Sequence, residues 1–387
     1  MEINEMEISE QEKLARAAFL SLAGVGSQRL RRLITEFGSA QQAWEAPQSK
    51  YTQLSEQYSW LAETGKARSK IDPAKIGCYL SDLGIQTITP EETDYPALLA
   101  ELDDAPPLLF YRGILKNRAE VLAVVGSRQA TPYGKAAAKS LAKAAAAEGI
   151  VIVSGLARGI DTAAHQGALE SGGTTWAFMG CGLDRVYPAE NKKLAEQIQR
   201  QGALLSEYLP GTPPVAKNFP IRNRLISGCS LGVLVVEAAE RSGAMITVDF
   251  ALEQGREVFA VPGSVFSRQS RGTHNLLRQG AKIVEGIEDI WQELPALSRR
   301  KSTCIPRTAA EGSLSSAHLS AVPSCGSGNP DHDLVLEQLS DMPLHIDQMI
   351  VHSALSVSRL SLALRELQLA GKILQLPGQC YVLARKS

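Results

Sequence analysis

"VLAVVGSRQATPYGKAAAKSLAKAAAAEGIVIVSG", Val121 to Gly155, changes its apolar period twice. The run VLAVV stops at Gly126, an alanine-rich stretch long enough for a full helix follows from Tyr133, and a second run, IVIV, stops at Ser154-Gly155. Short continuous apolar runs rich in β-branched residues fit strands covered on both faces, and a helical stretch between two of them is the crossover that parallel strands require. The segment therefore predicts a βαβ unit.

The same alternation continues in both directions. "TTWAFMG", "ALLSE", "LGVLVVEA", "EVFAVPG" and "AKIVEG" supply further strands, and patterns such as "GAMITVDFALEQG" supply helices between them. Repeated βα units predict an α/β fold over residues 80–295: a Rossmann-like domain around a mostly parallel, doubly wound sheet.

Residues 1–79 differ in kind. "KLARAAFLSLAGVGSQRLRRLITEFGSAQQAW" spaces its apolar residues three and four apart around Gly24-Val25-Gly26, which predicts a small helical domain of the SAM or helix-hairpin-helix type. The turn amides of such a hairpin can hold a DNA phosphate, and a plain helical hairpin used for packing or protein contact fits the same pattern. Residues 296–331, rich in Ser, Pro, Gly and Ala without periodicity, predict a flexible linker. Residues 332–387 predict three short helices and then two strands around Pro377-Gly378, the order of a winged helix. In its third helix, "SVSRLSLALRELQLAGK", Leu360, Leu364 and Leu367 fall on one face, with Arg359, Arg365 and Lys372 outward. Acidic residues surround them, so duplex binding and protein contact both remain open.

The 387 residues suffice for two or three domains, since single cores seldom exceed about 250 residues. A formal charge of −1 excludes a generally basic coat for nucleic acid, so any anion must meet a local cluster. The start "MEINEMEISEQEKLAR" has no signal-peptide pattern, and no stretch offers about 18 consecutive apolar residues, so a cytoplasmic protein without membrane contact is expected. Six scattered cysteines without CxxC spacing predict free thiols and no zinc site.

In an open α/β sheet ligands gather beyond the carboxyl ends of the strands. Here those ends read "VVGSRQATPYG", "SGLARGIDTAAH", "GCGLDRVYPAEN" and Glu207 followed by "NFPIRNR". Gly126, Gly155, Gly180 and Gly182 permit close backbone approach to an anion, and equally suit tight turns. The first turn is neither GxGxxG nor a P-loop, because Gly126 and Gly134-Lys135 stand too far apart and no Ser or Thr follows the lysine. Arg128, Arg158, Arg185, Lys217, Arg222 and Arg224, interleaved with Tyr187 and Phe219, resemble what a single-strand platform needs: cations for phosphates and rings for bases. Arginines that brace loops through Asp161, Asp184, Glu190 or Glu237 would leave the same trace. Asp161 and His165, one helical turn apart, could form an acid–base pair or simply brace their helix. No nucleophile with a base, carboxylate pair or metal cluster stands out, so no catalysis, cofactor or metal is expected.

The stretches "VVGSR", "SGLARGIDTAAH", "GCGLDRVYPAEN", "LLSEY", "NFPIRNRLISG", "VVEAAERSGAMITVDFALEQGREVFAVPG" and "RGTHNLLRQGAKIV" run in order through the middle domain. Together they resemble DNA-processing protein A, the DprA/Smf family. The resemblance implies a protein that binds single-stranded DNA through the Rossmann-like domain, forms a homodimer through it, and loads the recombinase RecA during natural transformation. Its GSR motif, here Gly126-Ser127-Arg128, puts Arg128 on a DNA phosphate, with Lys217, Phe219, Arg222 and Arg224 in or near the same pocket; Arg158, among the strand-end cations, is expected to bind DNA with them. Asn223 would brace the loop, and Ser242 and Gly243, opening the next helix, would add amide donors. The alternative is a nucleotide-processing hydrolase of related fold, but "VVEAAERSGAMITVDF" lacks the PGGxGTxxE signature of base-releasing hydrolases, and Glu237 alone does not restore it.

Overall fold

The computed structural model describes residues 8–115, 120–294, 330–339, 344–346, 349–350, 355–376 and 380–384. The expected linker as far as residue 329, the turn at Pro377-Gly378, and Cys304 and Cys325 lie outside the described residues. The chain divides into two compact units, residues 1–305 and 306–387.

The first unit begins with helices α1 (Glu10–Leu20), α2 (Ser27–Phe37), α3 (Ala40–Glu45), α4 (Gln48–Leu54), α5 (Trp60–Arg68) and α6 (Pro73–Asp82). They close on Phe19, Leu30, Leu33, Phe37, Tyr51 and Leu61. Buried Arg16 joins this layer to the rest: its guanidinium donates to Glu12 at 2.8 Å, to Glu91 at 2.7 and 2.9 Å, and to the Pro107 carbonyl at 2.8 Å. The helical layer and the α/β part thus belong to one unit.

Strands β1 (Gln86–Ile88), β2 (Leu109–Gly113), β3 (Val121–Val125), β4 (Val151–Ser154), β5 (Thr175–Met179), β6 (Ala203–Ser206), β7 (Gly232–Val235), β8 (Glu257–Ala260) and β9 (Lys282–Ile283) form one sheet in the order β1-β2-β6-β5-β4-β3-β7-β8-β9. From β6 to β9 across the sheet every pairing is parallel, and β2 and β1 add an antiparallel margin. Every residue of β3 to β7 is buried, as continuous apolar runs require when helices cover both faces.

The helices of this part are α7 (Ala97–Ala100), α8 (Pro132–Ala147), α9 (Ile160–Glu170), α10 (Lys192–Gln201), α11 (Asn218–Gly228), α12 (Gly243–Glu253), α13 (Arg271–Arg278) and α14 (Ile287–Glu293). Strand alternation divides the core between the two faces. Leu122, Val124 and Ile152 meet Ala138, Leu141, Ala142 and Ala145 of α8. Ala123, Val125 and Val153 share the opposite layer with Leu225 and Ile226 of α11 and Val248 of α12.

Local chemistry sets the α8 boundaries. Thr131 caps its start by accepting from the Gly134 amide at 3.1 Å, with Pro132 at the first turn, and Gly149 leaves the helix at φ +82°. Gly167 lets α9 approach so closely that an added Cβ would stand 2.2 Å from the Lys139 carbonyl oxygen.

Connectivity then locates the site. Successive strands β3 to β6 step away from β3 on one side, and the chain returns through α11 to lay β7 and β8 on the other. The direction reverses between β3 and β7, which opens a crevice at their carboxyl ends.

The second unit has α15 (Pro330–Gln338), α16 (Val357–Leu369) and the antiparallel strands β10 (Leu344–His345), β11 (Ile373–Leu376) and β12 (Cys380–Leu383), ordered β10-β12-β11. Leu360, Leu364 and Leu367 are buried with Val335 and Tyr381. Arg359 faces outward and pairs with Asp331 at 2.6 Å. Strand β10, too short to leave an apolar alternation, is an addition to the two strands expected.

Gly167→Ala should lower stability by about 1–3 kcal/mol, the range for forcing atoms into a filled interface. A urea titration checks it; an unchanged midpoint would mean that α8 and α9 separate freely.

Candidate nucleic-acid interface

A cleft of about 380 Å³ occupies the reversal point. Its walls are Val125 to Gln129 after β3, Ala157 and Asp161 after β4, Arg222, Asn223 and Ile226 of α11, the α12 start from Ser242 to Ala244, and Gln269.

The turn after β3 is held rigidly. The Ser127 amide donates to the Glu237 carbonyl at 2.7 Å, the Ile160 amide donates to the Ser127 carbonyl at 3.2 Å, and the Gln129 amide donates to Ser127 Oγ at 3.1 Å. A Cβ on Gly126 would meet Ile160 at 2.6 Å and the Glu237 carbonyl at 2.8 Å. Arg128 projects from this turn, exposed, with its guanidinium 5.7 Å from the Phe219 ring centre. Phe219 is half-buried, packs on Tyr187 at 5.4 Å, and would clash with any side chain at Gly180.

"NFPIRNRLISG" is not an open loop but helix α11. Its turns direct two of its expected phosphate ligands inward, which gives them other tasks. Arg222, 3% exposed, donates to the carbonyls of Gly155 at 3.0 Å and of Phe178, and to Asn223 Oδ1 at 3.2 Å. Burial lowers its pKa to about 10, with Asp161 opposing the shift and Arg128 adding to it, so it stays charged at neutral pH. Arg224 is farther from the cleft: it grips Glu207 at 2.6 and 2.7 Å and also reaches Asp104 at 3.1 Å. Neither guanidinium offers the exposed face expected for a phosphate, because each is held by groups inside the fold. Asn223 donates to the Gly243 carbonyl at 3.3 Å and so ties α11 to the α12 start.

Lys217 stands exposed at the start of α11. Among the described residues, neither Lys217 nor Arg128 has an ion-pair partner. Arg158 pairs with Glu190 at 2.7 Å and Arg185 with Asp184 at 3.0 Å, both on the surface. Asn191 is buried and donates to the Leu156 carbonyl at 2.9 Å, a bracing role. Ser242 begins the eleven-residue α12 without capping it, its buried Oγ has no partner, and the space beside Gly243 is open. The first-turn amides of α12 therefore border the cleft, where the helix dipole favours an anion.

The groups considered for catalysis are otherwise engaged. Both Glu237 oxygens accept from Thr131, one from its amide at 2.8 Å and one from its hydroxyl at 2.5 Å, which anchors α8. Asp161 accepts from the Gly155 and Ala157 amides at 3.1 and 3.2 Å. His165 is fully buried and bonds Thr175 Oγ1 through Nδ1 at 2.7 Å; that hydroxyl donates to the Ile152 carbonyl, so Nδ1 carries the proton of a neutral ring. Burial holds its pKa down at about 3. No group of three or more His, Cys, Asp or Glu suited to a metal occurs among the described residues. Gln129, Thr247 and Gln269 also line the cleft and were missed from sequence; Gln269 lies far along the chain, and nothing in its spacing announces it. The Gly24-Val25-Gly26 turn lines a separate cleft of about 690 Å³ with Arg29, Arg31, Tyr208 and Ile221.

Residues 86–295 match the family described as DNA recombination-mediator protein A, and residues 320–379 match the DprA winged helix domain. The chain belongs to the DNA recombination-mediator protein A family. It is 32% identical to Protein Smf of Synechocystis over 365 residues, 89% of this chain and 92% of the relative. To the DNA processing protein DprA of Streptococcus pneumoniae it is 48% identical over 200 residues, 51% of this chain and 71% of that protein. The X-ray structure of the S. pneumoniae protein matches with a TM-score of 0.62 at 36% identity, over 75% of this chain and 99% of the other. Membership makes the chain a DNA-processing recombination mediator, with the Rossmann-like and winged-helix architecture its sequence predicts.

Two stability tests follow from the buried ionisable groups. Arg224→Ala leaves Glu207 buried without its cation and should cost about 3–5 kcal/mol, measurable by denaturant titration. Unfolded His165 gains a proton below its ordinary pKa of 6.5, whereas the folded residue resists until about pH 3. Stability should therefore fall as pH drops through this window, by about 1.4 kcal/mol per unit from this residue, and His165→Gln should flatten the profile between roughly pH 6.5 and 5. Identical slopes for both proteins would contradict the buried neutral ring.

Proposed function

We propose that the chain binds single-stranded DNA across the cleft between β3 and β7 and delivers it to the recombinase RecA. The observation that carries this reading is the grouping at one sheet edge of two cations without ion-pair partners, Arg128 and Lys217, a half-buried ring, Phe219, and the open start of α12. Phosphates lie against Arg128, Lys217 and the amides at Ser242 and Gly243, on a floor formed by Gly126 and Ser127. A base stacks on Phe219, an interaction worth about 1–3 kcal/mol and indifferent to base identity. Arg158 joins when a phosphate displaces Glu190, since an exposed ion pair is worth only about 0–1 kcal/mol. Arg222 and Asn223 hold the platform in place.

The protein acts without catalysis, because Glu237, Asp161 and His165 are bound into the scaffold. It works in the cytoplasm; no helix among the described residues is long and apolar enough to cross a membrane. It forms a homodimer through the α/β part, where Leu252 of α12 is 63% exposed and Ile283 of the marginal strand β9 is 53% exposed. The family's description as a recombination mediator supports the recombinase loading proposed here.

Fluorescence anisotropy of a labelled oligothymidine against a matched duplex, across a salt series, tests the proposal. Single strands should be preferred, and Arg128→Ala should weaken binding to every sequence alike while reducing the log–log salt slope by about 0.7, the contribution of one single-strand phosphate. Equal affinity and slope in the variant would remove Arg128 from the DNA path.

A further inference from the structure

The cleft wall contributed by Gln269 belongs to a turn, Gly263 to Arg271, that starts just beyond the carboxyl end of β8. Val265 and Phe266 at its tip are 76% and 96% exposed. Arg268 and Arg271, also exposed, follow within the same turn, and neither has an ion-pair partner among the described residues.

The turn is fixed rather than loose. Its far end is riveted to the end of β7: the Ala238 amide donates to the Gln269 carbonyl and the Gly272 amide to the Ala238 carbonyl, both at 2.8 Å. Its near end is held by Tyr133, whose hydroxyl donates to the Pro262 carbonyl at 2.9 Å, and by His274, whose Nε2 lies 3.0 Å from the Gly263 carbonyl. Within it the Phe266 amide donates to Ser264 Oγ at 3.3 Å, and the Ser270 amide donates to the Ser267 carbonyl at 3.1 Å. A phenyl ring kept in water on a fixed base contributes nothing to the core beneath it. Two exposed arginines follow it within the turn, so the same residue types as Arg128 and Phe219, cations and a ring, occur again after β8, two strands from β3 along the same sheet edge.

We propose that single-stranded DNA leaving the cleft continues over this turn, with a base stacked on Phe266 and phosphates at Arg268 and Arg271. The inference rests on the single-strand reading given above and extends its path. Because Gln269 belongs to both the cleft wall and the turn, the two surfaces are continuous. Stacking on a ring and contact with phosphates require no base identity, so the extension suits any sequence.

The test uses the full chain with two oligothymidines, one that fills only the cleft and one several times longer. Lengthening the strand should raise wild-type affinity, and Phe266→Ala should lose about 5- to 150-fold of the long-strand affinity, the equivalent of one stacked base. Phe266→Trp should keep it. Arg268→Gln and Arg271→Gln should each lower the long-strand salt slope by about 0.7. Thermal midpoints should not move, since these side chains are exposed. If wild type binds both strands, Arg128→Ala weakens both and Phe266→Ala matches wild type on the long one, the extension is wrong and the cleft reading survives. No single-strand binding by wild type would end both. If light scattering shows that Phe266→Ala halves the particle mass, and long-strand affinity returns at high protein concentration, the turn meets a second copy and the proposal is overturned.

Discussion

The guanidinium of Arg222 holds the binding edge together. It lies inside the sheet's carboxyl end, donating to the carbonyls that follow β4 and end β5, and it fixes the rotation of α11 about its own axis. With that rotation set, Phe219 faces Tyr187 and Arg128, Asn223 reaches Gly243, and Leu225 and Ile226 enter the core. A shorter or neutral residue would leave the buried strand-end carbonyls short of donors, a loss of the order of a buried unsatisfied group for each. The helix that presents Phe219 is thus positioned by polar contacts to backbone. These contacts depend on Gly155, where a Cβ would stand 2.5 Å from the Arg222 guanidinium and 2.9 Å from Asp161.

Around this contact the cleft is assembled from groups that satisfy one another. Glu237 closes α8 through Thr131 and holds the Gly126-Ser127-Arg128 turn through its backbone carbonyl, so one residue after β7 sets both the helix and the turn that follow β3. Asp161 gathers the amides after β4 in the same way. Rigid walls matter to a binding cleft, because a preformed surface loses little conformational entropy when a ligand arrives.

Strands β3 to β9 were read from sequence, β3 to β7 because burial on both faces demands continuous apolar runs, and the runs in Val121–Gly155 could be little else; the short antiparallel strands β1 and β2 were not read. The location of the cleft was legible too, since glycines and cations crowd the strand ends. What composition could not give was the direction of each side chain in "NFPIRNR". Arg222 and Arg224 are two residues apart, about 200° around a helix, so if one points toward the cleft the other must point elsewhere. Sequence offered two identical cations; helix geometry and the presence of Glu207 decide their separate tasks. Gln269 and Phe266 escaped notice for a related reason. Their turn is brought beside β7 by backbone hydrogen bonds at Ala238, and backbone pairing of distant loops leaves no pattern in side-chain order.

The difference between the two arginines also bears on how a chain of net charge −1 attracts a polyanion. Arg224 is cancelled locally by Glu207 and Asp104. Arg222 donates to neutral carbonyls, and Asp161 offsets it without a hydrogen bond between the two, so part of its charge acts on the cleft through a medium less polarisable than water. Arg128 feels that field at the cleft's mouth, and the α12 amides add to it. An anion entering the cleft relieves the repulsion between Arg128 and Arg222, whereas the fold alone offers neither Arg128 nor Lys217 a carboxylate. Such an arrangement costs stability in the empty protein, and a bound anion would offset that cost. On the single-strand reading proposed above, rings, arginines and backbone amides at these positions favour the phosphate backbone and unstacked bases over any particular sequence.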